Sequence, residues 1–201
     1  VPPFRLASGG GWLTAEYAML PGATPRRTQR ASKRGRPDGR STEIQRLIGR
    51  SLRTAFDLDE LGPRTLTIDC DVLQADGGTR TAAITGGYVS ARLAVERLIA
   101  SGLTAPAAVG DGIAAVSVGI VGGVPTLDLD YVLDSSADVD MNVVIAGEGA
   151  LVEVQGTAEK ATFTRRELDV LLDLAEQGVE KLRGLQLRAI DEGLANRATA
   201  K

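Results

Sequence analysis

Gln74 to Thr81 reads Gln-Ala-Asp-Gly-Gly-Thr-Arg-Thr, at the point where a strand pattern ends and a helix pattern begins. Gly77 and Gly78 leave the backbone bare, so its N–H groups can approach an anion closely. Thr79 adds a hydroxyl donor, and Arg80 adds a planar fork of donors that matches phosphate geometry. Helix N-termini favour negative charge, so the segment is built like a phosphate cradle. The Gly-x-x-x-x-Gly-Lys-Ser/Thr spacing of a P-loop is absent. A tight strand-to-helix turn with a solvated Arg80 is the alternative reading.

The second group able to do chemistry is acidic. Asp128, Asp130, Asp134, Asp138 and Asp140 fall within thirteen residues. Hard divalent cations take oxygen ligands, and Mg²⁺ commonly takes only one or two carboxylates plus substrate phosphates. Asp128 and Asp130 alternate along a predicted strand and so face one side. Asp134 and Asp140 bracket a predicted loop and are better placed for a metal. Solvated loop acids are the competing reading for part of this group. The EF-hand pattern is missing.

The third group is basic. Ten arginines and lysines lie between Arg26 and Arg53, opposed only by Asp38 and Glu43, a local net charge of +8. The rest of the chain carries −11, since the total is −3. A basic segment on an acidic body suggests a polyanionic partner, nucleic acid first; a solvated charged loop is the plain alternative. Together the three groups point to phosphoryl chemistry on nucleic acid, for which metal and arginine stabilisation of an in-line displacement needs no imidazole.

Composition narrows the chemistry further. The chain has 201 residues and no histidine, which removes Ser-His-Asp and Cys-His catalysis and His-ligated zinc. Cys70 is the only cysteine, so no intrachain disulfide forms. Aromatic residues are 3% of the chain, so the core is aliphatic. No signal peptide and no apolar run near roughly 18 residues is evident, which leads to the expectation of a soluble, cytoplasmic protein without a membrane.

The elements that must hold these groups follow from periodicity. Gly11 to Leu20 reads as a strand, and Pro21 to Gly39 has loop composition, awaiting a partner to order it. A helix is predicted from Thr42, where Thr42-x-x-Gln45 makes a capping box, with Ile44, Leu47, Ile48, Leu52 and Ala55 on its buried face. Arg46, Arg50 and Arg53 form one basic stripe on it, available to a phosphate backbone or a second subunit. Arg64 to Leu73 alternates strictly, with Leu66, Ile68, Cys70 and Val72 on one side. A long helix runs from about Thr79 to Ser101, with Ile84, Tyr88, Ala91, Val95 and Leu98 inward. Two hairpins follow: Ala114 to Val121 with Val124 to Tyr131, and Met141 to Ala146 with Ala150 to Gln155. A last helix starts at the capping box Thr164-x-x-Glu167. The order predicts an α+β or mixed α/β domain over 1–188, with 189–201 as a flexible tail.

Several long motifs resemble the ribonuclease PH family. They are Gly11 to Pro21, Glu43 to Arg50, Asp69 to Thr81, Asp140 to Val144 and Glu153 to Glu159. The resemblance implies an α+β fold like ribosomal protein S5 domain 2, a β-α-β-α unit with a mixed sheet packed by helices. It implies a phosphate-dependent 3′→5′ exoribonuclease, or tRNA nucleotidyltransferase. Such an enzyme trims 3′ ends of tRNA precursors and takes part in rRNA processing. It uses inorganic phosphate as co-substrate and releases nucleoside 5′-diphosphates. Carried over by motif, the phosphate site falls on Arg40, Gly78, Thr79 and Arg80. The catalytic and Mg²⁺-binding aspartates fall on Asp134 and Asp140. RNA-gripping arginines fall on Arg27 and Arg30. A homo-oligomeric hexameric ring, a trimer of dimers, is implied as well. The family pattern also places a few dozen residues before Val1, whose absence predicts an unpaired sheet edge. Gly22 stands where relatives often carry arginine, and Leu133 where they often carry an acid. A non-catalytic RNA-binding ring subunit and an inactive truncated product are the competing functions.

Overall fold

The structure is a computed structural model that describes residues 1–29 and 38–199, with side chains to residue 196. After a short helix α1 (Pro3–Leu6), strand β1 (Trp12–Met19) pairs in parallel with β2 (Thr65–Val72). Helix α2 (Gly39–Arg53) connects them and packs on β1, as a parallel pair requires of its crossover. Helix α3 (Thr79–Ala100) follows β2 directly. The second sheet is antiparallel and has the order β4-β3-β5-β6, from β3 (Ile113–Val121), β4 (Val124–Leu127), β5 (Val139–Ala146) and β6 (Ala150–Ala158). A six-residue helix α4 (Tyr131–Ser136) joins β4 to β5, and α5 (Arg165–Thr199) closes the chain. Parallel and antiparallel pairings are thus both present, in two sheets.

The alternation of the four-stranded sheet gives it two apolar faces. Ala114, Val116, Val118, Val139, Met141 and Val143 pack against Leu171, Ala175 and Val179 of α5. Ile113, Ala115, Val144 and Ala146 face the other way, into a larger core built from β1, α2, β2 and α3. Leu13, Ile44, Ile48, Leu52, Ile84 and Val95 are fully buried there. Helix α3 therefore lies between the two sheets, and its N-terminus is held from both sides.

Most predicted elements appear near their expected bounds, and the differences have physical causes. Helix α2 begins at Gly39, after an extended Asp38, and not at a Thr42 capping box. The Thr42 amide and hydroxyl both reach the Asp38 carbonyl, so Thr42 lies inside the first turn. The predicted strand to Tyr131 stops at Leu127, because Asp128 turns the chain with φ of 62° and Asp130 caps α4. Asp128 and Asp130 are therefore turn and cap residues, not neighbours on a strand face. The Thr164–Glu167 capping box forms in both directions, and the bonds from Thr164 pull the exposed Glu167 carboxyl below its ordinary range. Helix α5 then continues through 189–199, where composition suggests a tail, and Ile190 is buried against the main core.

Candidate active site at the α3 N-terminus

Gly77 and Gly78 take φ values of 74° and 54°, two successive left-handed residues that few side chains would tolerate. A Cβ at Gly77 would lie 2.5 Å from the Leu129 carbonyl oxygen, so the turn presses directly on the Asp128–Asp130 segment. Gly78 is the N-cap of α3 and has no side chain to offer the first helical N–H groups. Its carbonyl accepts from the Thr81 hydroxyl at 2.7 Å, which fixes the first turn. The result is a rigid helix start whose amides are left for an anion.

Thr79 and Arg80 open this helix. The Thr79 hydroxyl lies 2.7 Å from the phenol oxygen of Tyr17 on β1. Arg80 donates to Gln155 Oε1 of β6 at 2.7 Å and lies 3.5 Å from a carboxylate oxygen of Glu43 on α2. Arg40 sits one turn before Glu43, so the first turns of α2 and α3 converge. Glu43, one turn on from Arg40, is the α2 residue that meets Arg80.

The acidic side is positioned by the same turn. Asp76 accepts from the Tyr131 amide, which ties the start of α4 to the glycine turn. Asp130 accepts from the Leu133 amide at 2.8 Å and so sets α4, which carries Asp134. Asp140 lies on β5 opposite Thr157 of β6. The two aspartates thus bracket a helix-to-strand corner and not an open loop. Burial, then the neighbouring Asp134 and Glu159, raise the Asp140 carboxyl above its ordinary range, while Arg80 and the Met141 amide oppose that rise. These influences on Asp140 place Asp134, Arg80 and Glu159 in its electrostatic neighbourhood.

Two half-buried carboxylates in one electrostatic neighbourhood suit a divalent cation, which would relieve both repulsion and desolvation. Among the described residues no three His, Cys, Asp or Glu side chains gather as a metal site. Two carboxylates, with substrate phosphate completing the shell, fit Mg²⁺ better than a closed protein cage would.

Gly78, Thr79, Arg80, Asp134 and Asp140 are thus brought together, with Arg40 on the adjoining helix turn. Arg27 is exposed on the loop after β1, which is closed by the Thr28 amide on the Pro21 carbonyl and joined to the cradle by Ala75 on Ala23. Arg30 lies outside the described residues. Arg50 and Arg53 depart from the predicted free stripe. Arg50 pairs with Glu153, while Arg53 donates to the Leu13 carbonyl and stacks 4.5 Å above Trp12. Sequence reasoning missed Tyr17, Glu43, Gln155 and Glu159 as partners of the site. Gln155 and Thr157 share period two on β6, with Glu159 just past its end, which was the available signal.

Solved structures share this fold. An Archaeoglobus fulgidus exosome with RNA bound to the active site matches with TM-score 0.69 at 23% identity, over 90% of this chain and 73% of that one. Rice (Oryza sativa) Rrp46 matches with TM-score 0.68 at 10% identity, over 92% and 75%. At such identities the likeness defines the fold class, the S5 domain 2-like α+β architecture. Sequence carries the assignment further. The descriptions "3′ exoribonuclease family, domain 1" and "domain 2" match residues 2–94 and 111–178. Ribonuclease PH of Syntrophomonas wolfei subsp. wolfei is 56% identical over 186 residues, 92% of this chain and 78% of that protein. The chain belongs to the ribonuclease PH family of 3′ exoribonucleases.

Proposed function

We propose that this protein is a phosphorolytic 3′→5′ exoribonuclease, a tRNA nucleotidyltransferase that trims the 3′ ends of tRNA precursors. One observation carries the reading within the family: an open helix N-terminus bearing Thr79 and Arg80 stands in the same electrostatic neighbourhood as the paired Asp134 and Asp140. Inorganic phosphate binds at Gly78, Thr79 and Arg80, with Arg40 reaching in from the adjoining helix. One phosphate oxygen attacks the terminal phosphodiester phosphorus, and the bond from that phosphorus to the 3′ oxygen breaks. The shortened RNA keeps its 3′ oxygen, which takes up a proton, and the last nucleotide leaves as a 5′-diphosphate. Donors fixed before the reaction stabilise the developing charge without reorganising. Asp134 and Asp140 would hold Mg²⁺, which would supply Lewis-acid stabilisation of the developing charge.

Arg27 and Arg30 grip the RNA backbone, so affinity falls with salt and carries no base information. We carry over with this reading a hexameric homo-oligomer, a trimer of dimers, and a cytoplasmic location. Among the described residues no helix is long and apolar enough to cross a membrane.

The test is product analysis on a tRNA with a short 3′ extension, with Mg²⁺, with and without inorganic phosphate. Nucleoside diphosphates appearing only with phosphate is the expected result. RNA binding without diphosphate release, from a folded oligomer, would overturn it in favour of a non-catalytic ring subunit.

A further inference from the structure

Strand β1 sends Leu13, Ala15 and Tyr17 into the main core. Leu13 and Ala15 are plain filler, but Tyr17 carries a hydroxyl to the far end of that row. Its side chain is 4% exposed, and its phenol oxygen meets Thr79 Oγ1 at 2.7 Å. The contact spans 62 residues of sequence and ends on the first residue of α3.

A hydroxyl has one hydrogen and two lone pairs. Phosphate oxygens are chiefly acceptors, so Thr79 must spend its single hydrogen on the anion to help bind it. It then has none for Tyr17, and the bond between them must run from the phenol to Thr79. The phenol is also the more acidic hydroxyl and the better donor. Were the direction reversed, Thr79 would present only lone pairs to a negatively charged ligand.

We propose that Tyr17 is a positioning residue of the phosphate site, donating its phenol hydrogen to Thr79 Oγ1 and thereby committing the Thr79 hydroxyl hydrogen to the bound phosphate. The proposal rests on the phosphate-site reading above. It makes an otherwise apolar core row part of the site's hydrogen-bond order, through a residue that does not touch substrate.

The test uses Tyr17→Phe, which keeps the ring, and Thr79→Val, which keeps the shape, singly and together. Steady-state phosphorolysis is followed with phosphate and RNA varied separately. Tyr17→Phe is expected to raise KM for phosphate by about three- to tenfold, the worth of one neutral hydrogen bond, with KM for RNA unchanged. The double variant is expected to match Thr79→Val alone, since the effect passes through that hydroxyl. An equal rise in the Thr79→Val background, or unchanged phosphate KM in a folded Tyr17→Phe protein, would overturn the proposal. A parent protein that uses no phosphate at all would overturn the site reading and the proposal together. Should Tyr17→Phe not fold, the unaltered protein still decides. It has three tyrosines, and a phosphate titration should move the tyrosine Cζ carbon resonance of Tyr17 and leave that of the distant Tyr88. No movement at Tyr17 would refute the link.

Discussion

The basic helix α2 and the acidic segment from Asp128 to Asp140 present the same problem with opposite sign. Each is a run of like charges in sequence, and in each the fold divides the run into two uses. On α2, the C-terminal arginines serve the fold: Arg53 lies over Trp12, and Arg50 meets Glu153. Burial and the neighbouring Arg50 lower the pKa of Arg53, as expected for a cation drawn into the structure. Arg40, on the first turn, remains exposed beside the cradle. In the acidic segment, Asp128 turns the chain and Asp130 caps α4, while Asp134 is left close enough to raise the Asp140 carboxyl. Charge runs are therefore sorted by geometry, and a residue's neighbours in sequence do not say which use it has.

Variants can break or sharpen this division. Arg80→Ala should have the largest effect, lowering kcat/KM for phosphorolysis about a hundredfold or more, with an unchanged unfolding midpoint checked by thermal melts. Next, Asp140→Asn should remove most activity yet leave the metal-free protein at least as stable as the parent at neutral pH. The sign follows from the raised carboxyl of Asp140. Its ionised form is disfavoured in the folded state, so ionisation costs stability above the folded pKa. That cost is relieved as pH falls through the folded value, and parent and variant should converge below the ordinary carboxylate range. Melting curves against pH without Mg²⁺ measure it; greater parent stability at neutral pH would contradict it.

Effects on the fold-serving charges should be smaller and of another kind. Arg53→Ala should destabilise by about 1–2 kcal/mol through loss of stacking on Trp12, read by urea titration, with kcat per folded molecule unchanged. Asp130→Ala should cost about 1 kcal/mol as a lost cap. It should also weaken Mg²⁺ dependence, because α4 carries Asp134. Arg50→Ala should change stability by no more than about 0.5 kcal/mol, and added salt should erase the difference. A loss of activity in Arg53→Ala that tracks folded fraction supports the division; a loss in fully folded protein would return Arg53 to the site.

Much of this was legible in the chain. Strict alternation identified β2, a 3.6-residue stripe identified α3, and Thr164 with Glu167 announced the start of α5, because each signal is local and repeats. The glycine turn that opens α3 was legible for the same reason, its glycines, hydroxyl and arginine being contiguous. Local patterns failed where a competing local contact decided, the Asp38 carbonyl taking the Thr42 amide and hydroxyl and the Asp130 carboxylate taking the Leu133 amide. The Thr42 capping box gave way to an earlier helix start, and the strand through Asp130 gave way to a positive φ at Asp128 and a cap.

By itself, then, the sequence determined most of the element types, the absence of imidazole chemistry and the glycine turn that opens α3. Those depend on side-chain period, composition and backbone freedom, which are properties of neighbouring residues. Only the tertiary structure decided that Gln155 and Glu43 flank Arg80, that Tyr17 meets Thr79, that Asp134 acts on Asp140, and that Arg50 and Arg53 belong to the fold. All but the Asp134–Asp140 pair are contacts across tens of residues. Helix α3, packed between two sheets, brings the Thr79 and Arg80 contacts about by fixing one helix end against strands whose own sequences say nothing of it.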